Sequence, residues 1–339
     1  MMRVALDAMG GDFAPGPNVE GALAALREHD DLEVVLVGDE AQLEPLLSAC
    51  GPLPGRLRVQ PSEGWIRMDE KPTEALRRKP RCSILVCWEL LATRQVDAVV
   101  SAGHTGAVVA AGLRTRQFLP GVKRPGIAAP LPTRQGRTVL VDVGANPAAR
   151  PEHLVQYAVM GSVYAREMLG IAAPRVGVMN IGAEDGKGND LVRETQFLLA
   201  QSFLKERYIG SVEGRELFQG TADVVICEGF VGNVLLKSAE GLAELILHTL
   251  SEELFQKTED IPAPLVRRFS EFARRYYHHE AGGAPLLGVD GICLICHGSS
   301  SARSIQSALR TAQSFKNRQI NAQIVQELAR LEPVAEPIN

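Results

Sequence analysis

Four short glycine-bearing turns hold the polar side chains in this sequence that could do chemistry together. They are Asp7-Ala8-Met9-Gly10-Gly11-Asp12, Ser101-Ala102-Gly103-His104-Thr105-Gly106, Asp142-Val143-Gly144-Ala145-Asn146 and Cys227-Glu228-Gly229-Phe230-Val231-Gly232-Asn233. Each turn ends a run rich in Val, Ile or Leu. Glycine lets backbone N–H groups close on an anion, and a helix starting behind the turn adds partial positive charge. One such turn has a purely conformational explanation. Four on one edge of a sheet, each carrying Asp, Asn, Ser or Thr, point to a phosphate or carboxylate site.

Lys187 lies in a fifth glycine-rich stretch, Gly182-Ala183-Glu184-Asp185-Gly186-Lys187-Gly188. A P-loop would need Gly at 181 and Ser or Thr at 188, where Ile181 and Gly188 stand; the dinucleotide fingerprint fails at Leu191. A charge-stabilising lysine and a solvated loop lysine are both open readings. His297-Gly298-Ser299-Ser300-Ser301 places His and hydroxyls between a strand and a long helix running to about residue 331, as ligands or as helix caps. Cys293-Leu294-Ile295-Cys296-His297 matches the c-type haem attachment pattern. It sits in an apolar run that reads as a buried strand, where cysteine acts as a small hydrophobe. There is no second cysteine pair at zinc spacing, no aspartate cluster and no Gly-x-Ser-x-Gly elbow. The expectation is a site that holds an anion and stabilises charge, with no metal and no cofactor.

The elements that must position these turns alternate along the chain. Strand-like runs at 4–7, 33–38, 57–60, 98–101, 138–142, 176–181, 208–212, 223–227 and 292–296 lack strict polar alternation, which suits strands buried on both faces. Helical stretches at 18–29, 40–50, 105–117, 151–169 and 189–201 lie between them, with Pro151 and Asn189 at two helix starts. This order predicts an α/β fold with an open, largely parallel sheet and flanking helices. Residues 234–281 break the alternation. Leu242, Leu245, Ile246, Leu250 and Leu254 form an apolar stripe, followed by a second helix with Arg267, Arg268, Arg274 and Arg275 among Val266, Phe269 and Phe272. We expect one catalytic unit over 1–339, a protruding helical hairpin at 234–281 and a loose tail at 332–339.

The 339 residues carry 36 Lys plus Arg against 40 Asp plus Glu, a formal charge of −4, with 5% aromatics. That balance disfavours nucleic acid as a partner. Six scattered cysteines fit a reducing cytoplasm, and the N-terminus reads as a first strand and not a targeting segment. No stretch approaches the ~18 consecutive apolar residues of a membrane span.

The motifs resemble those of the bacterial phosphate acyltransferase family. The matching stretches include Leu6 to Asp12, Ser101 to Ala107, Asp142 to Asn146, Asn180-Ile181-Gly182, Lys187-Gly188-Asn189, Gly229 to Asn233, Gly283 to Gly288 and His297 to Ser300, in family order. Four positions depart from the family pattern: His104 replaces Asn, Phe13 replaces His, Glu228 replaces Asp, and Ile295 replaces a frequent lysine.

The resemblance implies a fold similar to phosphotransacetylases and isocitrate dehydrogenase-like enzymes. It implies transfer of a long acyl group from acyl carrier protein to inorganic phosphate, giving acyl-phosphate for phospholipid synthesis. Lys187 and Asn233 would stabilise charge. Asp7, Gly10, Gly11, Ser101, Gly103, His104, Thr105, Gly106, Asn146, Asn180, His297, Ser299 and Ser300 would shape the phosphate and substrate site. The family is homodimeric and peripheral on the inner face of the membrane, and feeds a glycerol-phosphate acyltransferase. Rival readings are a phosphotransacetylase-like enzyme using acyl-coenzyme A, a decarboxylating dehydrogenase using a divalent metal and a nicotinamide, and a non-catalytic lipid-synthesis scaffold.

Overall fold

Parallel strands must be joined by crossovers, and helices supply most of them here. The computed structural model describes residues 1–184, 186–256, 262–276 and 282–331, without the side chains of 256, 263 and 274–276. The chain opens with β1 (Met2–Asp7), α1 (Gly16–Glu28), β2 (Leu32–Gly38), α2 (Glu40–Ala49), β3 (Leu57–Pro61), α3 (Pro72–Arg78), α4 (Ser83–Ala92), β4 (Ala98–Ser101) and α5 (Thr105–Thr115). It continues through β5 (Gly126–Thr133), β6 (Gly136–Val141), α6 (Pro151–Leu169), β7 (Val176–Met179), α7 (Asp190–Gln201), β8 (Tyr208–Val212), α8 (Gly214–Leu217), β9 (Val224–Ile226) and α9 (Gly229–Ser251). After a π-helical stretch over Glu252–Gln256 come α10 (Ala263–Tyr276), β10 (Ala284–Leu287), β11 (Ile292–Ile295), α11 (Ala302–Asn317) and α12 (Ile320–Leu328).

The strands form one sheet in the order β3-β2-β1-β4-β11-β10-β5-β6-β9-β7-β8. Pairing is parallel except at β11–β10, β10–β5 and β5–β6. The expected α/β fold with a largely parallel sheet is therefore observed. Register puts Asp7 beside Ser101 and Ser101 beside Ile295, so the turns after β1, β4 and β11 emerge together. Val141 pairs with Ile226, which does the same for the turns after β6 and β9.

Successive residues of the central strands face two separate cores. Val4, Leu6 and Val100 pack toward α1 and α11, with Ile305 and Leu309. Ala5 and Val99 pack toward α4 and α5, around Trp88. Each large side chain buried this way contributes roughly 1.5–3 kcal/mol. Trp88 satisfies its one polar atom by donating Nε1–H to the Val108 carbonyl at 3.0 Å.

The structure adds elements that the sequence reading left as loops. β5 carries Pro130 and Pro132, which depress any strand signal, and β10 carries Pro285. The single long helix expected after Ser299 starts at Ala302 with Ser301 as its cap, and Gln319 at φ 52° separates α11 from α12. Helix α7 begins as expected, with Asn189 accepting the Val192 N–H at 2.9 Å.

Past Gly232, α9 buries only Leu247 among its described side chains. Leu242 is 57% exposed and Leu245 is 63% exposed. Phe255 and Phe269 meet edge to face at 5.0 Å and tie the π-helical stretch to α10. Arg267 pairs with Glu271 at 3.4 Å. The side chains of Arg274 and Arg275, residues 277–281 and the tail at 332–339 lie outside the described residues. Among the described residues, no helix is long and apolar enough to cross a membrane.

Candidate functional site

Glycine decides how closely the turns after β1 and β4 approach. A Cβ on Gly10 would stand 2.7 Å from the Gly103 backbone nitrogen and 2.8 Å from Oδ2 of Asp7. Asn18 ties down the first turn, donating from Nδ2 to the carbonyls of Ala8 and Gly10, both at 2.9 Å. Gly11, at φ 120°, brings the chain round so that Asp12 N–H donates to the Gly298 carbonyl at 2.8 Å. Three separate stretches of sequence are thereby joined at one sheet edge.

Asp7 lies behind this edge and not on it. Its Oδ2 accepts the Ser101 hydroxyl at 2.7 Å, and Oδ1 accepts Met9 N–H at 3.3 Å. Burial pushes its carboxyl above the ordinary value, partly opposed by these hydrogen bonds. Asp142 mirrors the arrangement after β6. It accepts backbone N–H groups from Ile127, Gly144, Ala145 and Asn146 at 2.7–3.1 Å, while burial raises its carboxyl pKa.

Helix α5 starts at the edge. His104 caps it, with Nδ1 accepting Gly106 N–H at 3.1 Å, and the first turn holds no acidic residue. His104 thus supplies the side-chain cap of this helix. Glu228 caps α9 in the same manner, accepting N–H from Phe230 and Val231 at 2.5 and 3.1 Å. Gly232 is squeezed onto the turn after β6, since a Cβ there would sit 1.9 Å from the Asp142 carbonyl oxygen.

These turns surround a cleft of about 520 Å³. Gly103, His104, Thr105, Gly106, Asp12, His297, Gly298 and Ser300 form its polar part. Ile127, Ala129, Pro130, Val143, Leu236 and Ile295 form an apolar stretch, and Asn233, Lys237 and Glu240 line it from α9. The cleft can hold a small anion against the α5 N-terminus and an apolar chain beside it. The His297 ring sits 2.8 Å from the Ser299 hydroxyl.

Among the expected site residues, the structure brings Gly103, His104, Thr105, Gly106, Asn233, His297 and Ser300 together at the cleft. Ser299 adjoins it through His297. Asp7, Gly10, Gly11 and Ser101 support the cleft from behind. Asn146 is turned into its own loop, donating to the Pro125 carbonyl at 2.5 Å and the Tyr157 hydroxyl at 2.8 Å. Asn180 donates to the Ser211 hydroxyl at 3.0 Å and accepts Ile181 N–H at 2.8 Å, which shapes the loop carrying Lys187. Lys187 is exposed in the loop between β7 and α7 and does not line the cleft. Of the departures, Phe13 is 66% exposed, whereas Ile295 is buried against the cleft.

The cysteines of the haem-like pattern are buried on and just after β11, and burial pushes the Cys296 thiol up to about 12. Sequence reasoning missed Lys237 and Glu240. Their spacing from Asn233, four and seven residues on, is the signal that could have found them.

Residues 2–323 match the family model described as fatty acid synthesis protein. The chain is 46% identical over 333 residues to the phosphate acyltransferase of Desulfitobacterium hafniense (strain Y51), covering 97% of this chain and 98% of that one. It is 44% identical over 329 residues to the phosphate acyltransferase of Geotalea daltonii, covering 96% and 94%. A phosphotransacetylase from Streptococcus pyogenes superposes with a TM-score of 0.60 at 17% identity, over 93% of this chain and 94% of that one. The EutD phosphotransacetylase from Staphylococcus aureus gives 0.55 at 16% identity, over 92% and 94%. At such identities the likeness is one of fold.

Proposed function

The chain belongs to the phosphate acyltransferase family, and from that premise we propose that it transfers a long fatty acyl group from acyl carrier protein to inorganic phosphate. The product is an acyl-phosphate for phosphatidic acid and phospholipid synthesis. The observation that carries this reading is the junction, in one cleft, of the Gly103–Gly106 turn with an apolar stretch through Ile127, Ala129, Pro130 and Leu236. Phosphate sits against the first backbone amides of α5 and the Ser299 and Ser300 hydroxyls; the acyl chain follows the apolar stretch.

An oxygen of hydrogen phosphate attacks the thioester carbonyl carbon. A C–O bond forms, the C–S bond breaks, and the proton of that phosphate ends on the departing thiol. Phosphate is already anionic, so the protein's work is to place it and to stabilise negative charge on the carbonyl oxygen. Asn233 donates to that oxygen from the cleft wall. Lys187 adds positive charge from the neighbouring loop. A fixed donor such as the one assigned to Asn233 is worth roughly 3–4 kcal/mol. Asp7, Ser101, Gly10 and Gly11 hold the phosphate turn in shape, and Asn146 and Asn180 do so for the turns beside it.

The exposed apolar face of α9 supports a homodimer built on that helix. Arg267 and Arg268 of α10 then face an acidic carrier protein or lipid headgroups. The reading places the enzyme in the cytoplasm, peripheral on the inner membrane face, as the supplier of a glycerol-phosphate acyltransferase. The test is incubation with long-chain acyl carrier protein and phosphate, assaying free thiol and acyl-phosphate together. Turnover of acyl-coenzyme A alone would replace this reading with a phosphotransacetylase-like one.

A further inference from the structure

Among the described residues that line the cleft, the carboxylates are Asp12 and Glu240, and Lys237 is the one Lys or Arg. Two acids against one ammonium is a poor balance for a cleft that receives a phosphate. Lys187, the cation that glycine spacing draws attention to, lines no part of it. Among lysines and arginines, Lys237 therefore has no described rival for direct contact with an anion in the cleft.

Its placement supports such a role. Asn233, Lys237 and Glu240 follow one another at helical spacing along α9, and all three line the cleft. Lys237 Nζ lies 2.8 Å from Oε2 of Glu240. The Glu240 side chain is recessed at 18% exposure, while that of Lys237 is 52% exposed. The carboxylate thus anchors the ammonium from behind and leaves it facing open space. An exposed pair of this kind adds little to stability, so removing it tests function without unfolding the helix.

We propose that Lys237 is the cationic contact for inorganic phosphate, and that Glu240 is a positioning residue holding its ammonium at the cleft wall until the anion draws it across. The inference rests on the phosphate acyl-transfer reading above. Phosphate then lies between the α5 amides and an ammonium on α9, and its charge is met from two sides.

The experiment measures initial rates of the full-length enzyme with phosphate and acyl donor varied in turn, beside calorimetric titration with inorganic phosphate. Lys237→Met should raise both the KM and the Kd for phosphate about 10-fold or more, the size of one charged hydrogen bond, with the donor KM unchanged. Lys237→Arg should recover much of that loss. Glu240→Gln leaves the ammonium without its anchor and should weaken phosphate binding about threefold, with a smaller effect in the Lys237→Met background. Unchanged phosphate binding in Lys237→Met, or a rise confined to the donor KM, overturns the role of Lys237. An equal Glu240→Gln effect in both backgrounds overturns the positioning role of Glu240. A wild-type enzyme that transfers no acyl group to phosphate overturns the functional reading itself.

Discussion

The Ser101 hydroxyl donates to Oδ2 of Asp7 at 2.7 Å and with the same oxygen accepts Gly103 N–H at 3.0 Å. Two residues 94 positions apart thereby fix the backbone that leads into α5. Ser101→Ala leaves a buried carboxylate short of a donor and a buried N–H short of an acceptor. We expect a loss of about 1–3 kcal/mol in urea unfolding, together with a raised KM for phosphate.

Asp7 also sets a pH dependence. Burial lifts its carboxyl above 3.8, so the folded chain holds this proton more tightly than the unfolded chain does. Stability from this group is fully present below the unfolded value and is lost as pH rises through the raised one. Asp7→Asn cannot ionise. The stability of the wild type minus that of the variant should therefore decline as pH rises above 3.8, and a flat difference in urea unfolding would contradict this.

Gly10→Ala probes the close approach directly. A methyl group 2.7 Å from the Gly103 nitrogen must push the two turns apart. The expected cost is about 1–3 kcal/mol, with phosphate binding weakened more than donor binding. Thermal unfolding and initial-rate kinetics on one preparation check both.

Lys187→Ala should lower turnover about 100-fold at unchanged fold, the usual scale for losing one charge-stabilising donor. Lys187→Arg should recover little, because a planar fork does not replace a point charge. Near-normal turnover in the alanine variant would make Lys187 an ordinary solvated loop residue.

Replacing Arg267, Arg268, Arg274 and Arg275 by Gln tests the second arm helix. Light scattering should find the proposed dimer intact. The KM for acyl carrier protein should rise, or binding to anionic vesicles weaken, with a flatter salt dependence; each basic residue near an anionic surface contributes about 1 kcal/mol. If neither changes, the arm is a structural contact only.

The turns were legible because a glycine after an apolar run has few meanings. Gly10, Gly103 and Gly232 all turned out to be places where backbone meets backbone. The sheet order was not legible, since it depends on pairings such as Ile295 with Ser101 that no local pattern encodes. β5 was hidden by Pro130 and Pro132, and the break before α12 by Gln319, a residue with no turn preference. Lys237 and Glu240 belong to none of the motifs that the sequence singles out. Only the neighbourhood of α9 shows that they face the cleft.

The position of β11 and β10 in the sheet has a consequence for synthesis. They lie between β4 and β5, yet they are made more than 150 residues after both. A nascent chain that ends before residue 284 carries two unfinished sheet edges, one on each side of the gap. Pairings that span so much chain form slowly, and exposed edges invite association with other chains. The hairpin of β10 and β11 therefore times the closure of both edges at once. Ribosome-bound chains ending before it should stay protease-sensitive along β4, and chains that include it should not.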